Sequence, residues 1–240
     1  MQLILPLLSP RDRSRDRSLR QVSVRGRTYQ VQVARHRRAR RYLLRVRRDG
    51  TLRLTVPYGA SIGGGLVFAG QQAPWIERER ARQDRRAAPW RDGSIVLFRG
   101  GEERLRVDGV HVWCGDERIS IGDRAPDVRA AVETRLRAIA ALELPPRCLA
   151  FAAAHGIEVA RVVVRNQRSR WGSCSPRGVI ALNWRLIQMP PAVSDYVLLH
   201  ELMHMRQLNH SRKFWREVET VCPAWRESER WLRKHGQDLL

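Results

Sequence analysis

A chain of 240 residues with 43% hydrophobic content can bury a proper core as a soluble globular protein, in one domain or two small ones. No stretch approaches the roughly 18 apolar residues that a membrane helix needs, and Cys114, Cys148, Cys174 and Cys222 lack C-x-x-C spacing, which argues against a disulfide framework or a cysteine zinc site. The formal net charge is +21, and 43 of the 45 basic residues are Arg. Such a skew follows the base composition of a genome, but its distribution is uneven: residues 11–53 hold 16 Arg against Asp12, Asp16 and Asp49. A surface this basic favours polyanions such as nucleic acid through counterion release; the plainer reading is a solvated charged face.

In chain order, residues 1–21 open with an apolar stretch broken by Pro6 and followed by alternating Arg, Ser and Asp. No positive segment precedes it and no small-residue cleavage site follows, so it reads as a disordered leader, not a signal peptide, and a cytoplasmic protein is expected. From Val22 to Ile121 the pattern is that of strands. Tyr42–Arg48 and Thr51–Val56 alternate apolar and charged residues about Asp49-Gly50, a hairpin signal. Further strands are expected at Ile95–Phe98, Arg104–Val107, Val110–Trp113 and Arg118–Ile121. Gly63-Gly64-Gly65 weakens the segment before a short polar helix that begins at Pro74.

The pattern changes at Pro126. Val128, Val132, Leu136, Ile139 and Leu142 recur at helical spacing until Pro145-Pro146, which is expected to break the run before a second short helix from Arg147 to His155. A buried strand at Val159–Val164 and another over Val179–Leu186 follow, the second capable of offering its edge to an extended peptide. The expectation is an α+β protein: a leader over 1–21, a β-rich subdomain over 22–122 and a catalytic domain over 123–240.

His200-Glu201-Leu202-Met203-His204 matches H-E-x-x-H. Two His at i and i+4 share a helix face and can grip one ion, while the Glu between them can deprotonate a water. Apolar residues (Ala192, Val193, Tyr196 to Leu199, Leu202, Met203, Met205) surround the motif, as in a buried helix. Burying two imidazoles and a carboxylate there is costly unless they are paired or bind metal. His210 can complete the ligand set only if the helix stops near Gln207 and the chain turns back, with Asn209 tolerating a left-handed conformation. Glu217 and Glu219 on the next helix are the alternatives. Arg170 and Trp171 are candidate substrate contacts, though a turn between strands that contains Gly172 explains that motif equally well; Asn183 is a third candidate, and Cys174 reads as a spectator.

Arg170-Trp171-Gly172-Ser173-Cys174-Ser175, Ile180-Ala181-Leu182-Asn183-Trp184-Arg185-Leu186-Ile187, Asp195-Tyr196-Val197-Leu198-Leu199 with the H-E-x-x-H motif, and Asn209-His210-Ser211 with Phe214-Trp215 together resemble the YgjP-like metallopeptidase family, itself similar to the SprT and WLM zincins. The resemblance is strong over 161–240 and looser over 22–160. It implies that His200, His204 and His210 hold one zinc per chain and that Glu201 is the catalytic acid/base.

Three functions compete. The first is peptide-bond hydrolysis with a protein or peptide substrate. The second is hydrolysis of a nucleotide or phosphoanhydride at the same metal, with arginines on the phosphates. The third is a nucleic-acid-binding module with a structural zinc, which an intact Glu201 argues against. No membrane partner is expected. In the basic N-terminal half, alternating Arg could line one sheet face and bind nucleic acid without regard to sequence and with steep salt dependence; Tyr29, Tyr42 and Tyr58 are too few for much base stacking.

Overall fold

The computed structural model describes residues 17–24, 26–47, 49–122 and 126–240. They form two compact units, the first ending at Ala88 and the second spanning Pro89–Leu240.

In the first unit, alternation of apolar and polar residues builds a four-stranded sheet from β1 (Arg17–Val24), β2 (Arg27–His36), β3 (Leu43–Val46) and β4 (Leu52–Pro57), in the order β1-β2-β4-β3. Gly50 takes φ 77° and Asp49 Oδ1 accepts from Thr51 N at 2.9 Å, which fixes the β3–β4 register at Val46↔Leu52. Tyr29, Val31, Val33, Leu52, Leu54 and Val56 bury one face against Ala73 and Ile76 of helix α2 (Ala73–Ala87).

The leader expected over 1–21 needs correction. Residues 1–16 lie outside those described, and 17–21 belong to β1, where Arg17 pairs with Ala34 and Gln21 with Gln30; cross-strand pairing overrides a polar composition. The triple glycine, expected to weaken the chain, lies inside helix α1 (Ile62–Gln71), capped by Ser61, whose side chain accepts from Gly64 N. A Cβ at Gly64 would stand 2.9 Å from Tyr42 Oη, and one at Gly65 3.0 Å from Leu54 Cδ2. The glycines lower helix propensity but permit close approach to the sheet.

The second unit contains the hairpin β5 (Ile95–Phe98) and β6 (Gly101–Arg104), the three-stranded β7 (Arg106–Asp108), β8 (His111–Cys114) and β9 (Glu117–Ser120), and helix α3 (Arg129–Ala154). Strands β10 (Arg161–Arg165), β11 (Gly172–Cys174) and β12 (Val179–Asn183) follow, then helices α4 (Pro191–Met203), α5 (Arg212–Val221) and α6 (Trp225–Leu239). The division therefore falls at 88/89, where the sequence pattern placed it at 122/123. Val96, Phe98, Leu105, Val112 and Ile119 share one buried cluster with Leu136, Leu198 and Phe214, so these strands belong to the core that carries the motif helix. Among the described residues, no helix is long and apolar enough to cross a membrane.

Two further expectations change. Helix α3 runs unbroken through Pro145 and Pro146. Its buried positions Val132, Leu136, Ala140, Leu144, Cys148 and Ala152 repeat every four residues across the prolines, so one apolar stripe packs the whole helix. The carbonyls the prolines leave without partners, those of Ala141 and Leu142, belong to exposed residues. The strand expected over Val179–Leu186 ends at Asn183, whose side chain accepts from Arg185 N and caps a 3₁₀ turn over Trp184–Gln188. It is also the central strand of β10-β12-β11, paired on both sides and unable to offer an edge.

The β5–β6 hairpin supports the approach to α4. Arg99 N donates to Ile187 O at 2.9 Å and Gly100 N to Gln188 O at 3.2 Å, while Gln188 Nε2 returns a bond to Leu97 O at 3.1 Å. Gly100 has φ 85°, and a Cβ there would lie 2.7 Å from Pro190 Cα. Gly100→Ala combines left-handed strain with a backbone clash and is expected to cost roughly 2 kcal/mol or more. A denaturant midpoint within experimental error of wild type would show that this contact does not constrain the fold.

Candidate metal centre and active site

Helix α4 starts where Pro190 holds extended backbone and Pro191 enters the first turn, a position where its missing N–H costs nothing. Val193, Ser194, Tyr196 to Leu199 and Glu201 to Met203 are buried. Asp195, on the one side that emerges, accepts from Arg147 of α3 at 2.7 Å. With its orientation fixed in this way, the helix places His200 and His204 on one face, ring centroids 5.0 Å apart.

The helix then stops. Arg206 N and Gln207 N both donate to Met203 O at 3.0 Å. Asn209 is not left-handed, since Arg99 is the only non-glycine with positive φ among the described residues. It contributes instead through its side chain, which accepts from Ser211 N at 3.2 Å, and Ser211 caps α5 by accepting from Phe214 N. This sharp return brings His210 back, with its Nε2 3.1 Å from His200 Nε2. One ligand atom from each of His200, His204 and His210 can be chosen so that all lie within 4.8 Å of one another. The Phe214 ring packs against all three, with centroids 4.6 to 4.9 Å away. The alternative ligands are occupied elsewhere: Glu217 pairs with Arg206 at 3.0 Å and Glu219 with Arg226 at 2.6 Å.

The imidazoles are prepared as neutral ligands. Burial pushes His200 down to about 3, helped by repulsion from His204 and His210. Burial likewise holds His204 and His210 below the usual histidine value, His204 despite its bond to Gln207 O. Because that carbonyl can only accept, the 3.1 Å contact of His204 Nδ1 places the proton there and leaves Nε2 its lone pair. Tyr196 Oη stands 3.5 Å from His200 Nδ1. Neither Gln207 nor Tyr196 is visible as a site residue in the sequence, because each acts through a partner that only the helix geometry supplies.

Glu201 is 7% exposed, and burial pushes its carboxyl up to about 8, offset in part by the Arg170 guanidinium. It leans on β11: a Cβ on Gly172 would stand 2.5 Å from Glu201 Cγ and 2.7 Å from Oε1. Gly172 is thus a strand residue whose missing side chain admits the carboxylate, where the sequence pattern suggested a turn. Cys174, also on β11, has its Sγ 3.2 Å from Met205 Sδ, and burial raises its thiol to about 11, so it stays protonated at neutral pH.

The three candidate substrate contacts separate. Arg170 is exposed and acts electrostatically on Glu201. Trp171 is half-buried and packs over α6, where a Cβ on Gly236 would meet its Cζ2 at 3.0 Å. Asn183 is fully buried; its amide donates to Gln167 O at 2.8 Å and Arg170 O at 3.0 Å, and its oxygen caps the 3₁₀ turn. Its polar groups are used in holding the 167–170 loop, so Asn183 shapes the site without facing a substrate.

The donor set suits a metal ion. Two nitrogens bound at about 2.0–2.1 Å to one tetrahedral ion stand roughly 3.3 Å apart, close to the 3.1 Å between the Nε2 atoms of His200 and His210. A buried carboxylate beside three converging neutral imidazoles defines a metal-dependent hydrolase site of the metallopeptidase class. The model of the YgjP-like metallopeptidase domain matches residues 40–235, and the chain belongs to this family. Among solved structures, it is similar to the metallopeptidase zymogen of Pyrococcus abyssi abylysin, with 24% identity over 45% of this chain and 98% of that one and a TM-score of 0.33. The search of curated proteins gave no match.

Ligand assignment is tested by ranking. His210→Ala is expected to weaken zinc binding by orders of magnitude in a chelator competition, while Glu217→Gln and Glu219→Gln stay near wild type. The reverse order would make a glutamate the third ligand.

Proposed function

We propose that this metallopeptidase hydrolyses peptide bonds with one zinc held by His200, His204 and His210 and with Glu201 as general base. The observation that carries the reading is the convergence of the three imidazoles beside a carboxylate that burial has made basic. Zinc, when bound, supplies Lewis acidity that polarises the scissile carbonyl and acidifies a water. Glu201 takes the proton from that water and returns it to the leaving amine. Buried beside the three imidazoles, Glu201 is positioned for both transfers. A structural zinc would gain nothing from such a group.

The substrate is placed by a strand edge. Trp171 O accepts from Asn183 N, and Ser175 N donates to Val179 O, so residues 171 and 175 turn their bonds toward β12. Alternation leaves the main-chain groups of Gly172 and Cys174 directed to the opposite edge, which no other strand occupies among the described residues. An extended peptide pairing there would run past Glu201, because Gly172 is the residue against which that carboxylate rests. This edge replaces that of β12 in the role expected from the sequence.

Purified protein is expected to carry about one zinc per chain. Glu201→Gln keeps size and polarity but removes the base, so zinc should remain while turnover on an unfolded protein falls 10²-fold or more. Full activity with Glu201→Gln, free of contaminating enzyme, would remove Glu201 from the mechanism; zinc lost together with activity would leave the two roles unseparated and contradict the reading.

A further inference from the structure

We infer that the turn between β2 and β3, with Arg37, Arg38, Arg40 and Arg41, forms together with the ring of Tyr58 a docking surface for single-stranded nucleic acid. Residues 17–48 contain 12 Arg and neither Asp nor Glu. The alternating pattern suggested a guanidinium row along one sheet face, but the row is short: Arg45 of β3 stands opposite Arg53 of β4, and the next position across, on β2, is Gln32. On β2 the arginines stand at the two ends, Arg27 and Arg35, and the polar positions between Tyr29 and Val33 are Gln30 and Gln32. The positive charge gathers instead at the turn, where all four arginines are exposed.

Several arginines of the other unit are neutralised by a partner. Arg99, Arg135, Arg147, Arg206, Arg226 and Arg233 each face a carboxylate within 3.0 Å. Arg37, Arg38, Arg40 and Arg41 form no ion pair among the described residues, and no acid lies near them in sequence. Arginine content set by a genome explains both groups, but only the second leaves its charge uncompensated. Four guanidinium groups within five residues, drawn together by a turn in which Ala39 N donates to His36 O at 3.2 Å, can meet about two or three neighbouring phosphates of a single strand. Guanidinium forks pair with phosphate oxygens in bidentate fashion.

The turn is held in place. Arg35 Nη1 donates to Tyr58 O at 2.7 Å and to Ala60 O at 3.1 Å. Tyr42 Oη donates to Ser61 O at 2.8 Å while its ring stacks on Phe68. Of the three tyrosines in this half, Tyr29 is buried and Tyr42 is engaged, but Tyr58 is 62% exposed. The Arg37 guanidinium lies 5.5 Å from the Tyr58 ring centroid, so one exposed π surface sits inside the cationic patch, where an unpaired base can stack. A lipid surface fits less well. Residues 36–42 contain no Leu, Ile, Phe or Trp to enter an acyl layer, and charge alone gives weak anchoring.

The test uses the full chain, zinc-loaded, with labelled single-stranded and duplex DNA titrated between about 50 and 200 mM salt. Replacing Arg37, Arg38, Arg40 and Arg41 together by Gln is expected to weaken single-strand binding tenfold or more and to lower the salt slope by about 2, the release from two or three phosphates. A control carrying Arg118→Gln, Arg161→Gln, Arg177→Gln and Arg212→Gln removes the same charge from exposed positions of the other unit and should stay within about twofold of wild type. Tyr58→Ala should cost the single strand at least about fivefold and the duplex little. Equal losses in the turn variant and the control would overturn the proposal, as would an unchanged salt slope in the turn variant. So would capture by phosphatidylserine vesicles without oligonucleotide binding, or no binding at the lowest salt.

Discussion

Desolvation of polar groups around α4 is the constraint from which the rest of this unit follows. Three imidazoles and a carboxylate crowd together where burial lowers His200 to about 3 and raises Glu201 to about 8. Each shift measures how strongly the interior disfavours the charged form, and polar groups left in that state destabilise a fold by several kcal/mol. A divalent cation reverses the balance, because it converts facing lone pairs into bonds and gives the carboxylate a counter-charge. Metal binding and stability are therefore coupled in this unit, and the apolar surroundings of the helix are what make the coupling strong.

Holding these groups at fixed separations falls to contacts remote from them in sequence. Arg147 of α3 fixes Asp195, Arg206 links the helix exit to Glu217 of α5 and to His155 O at the end of α3, and the β5–β6 hairpin supports the 3₁₀ turn before Pro190. Site geometry survives only when its supports are as rigid as the site. That requirement explains why strands β5, β8 and β9, which contribute no chemistry, share one core with α4.

The part of the candidate site that lies on α4 was readable in sequence because its signals are local. Two histidines four apart and apolar residues on every side of a helix specify face and burial without reference to other elements. His210 was readable only as a condition on where α4 ends; the structure meets it by an Asx turn at Asn209 and a Ser211 cap instead of a left-handed residue. What stayed hidden depends on neighbours. The pattern of Val179–Asn183 fits a central strand as well as an edge strand, so a pairing question cannot be answered from one strand. Gly172 looked like turn punctuation because nothing in the chain reveals that a glutamate 29 positions later rests on its Cα. Pro145-Pro146 looked like a break because propensity is a local prior, and the four-residue repeat of buried positions outweighs it.

The paired prolines carry a consequence for how the protein is made. Zipping of a helix from a nucleus proceeds by adding one hydrogen bond per residue, and at positions 145 and 146 there is no N–H to add. Neither half of α3 can seed the other across that gap. The two halves become one helix only when the stripe from Val132 to Ala152 has a core to lie on, and that core includes residues from α4 and α5, which are synthesised later. On the ribosome, α3 should wait in two pieces until the segment bearing the histidines has emerged.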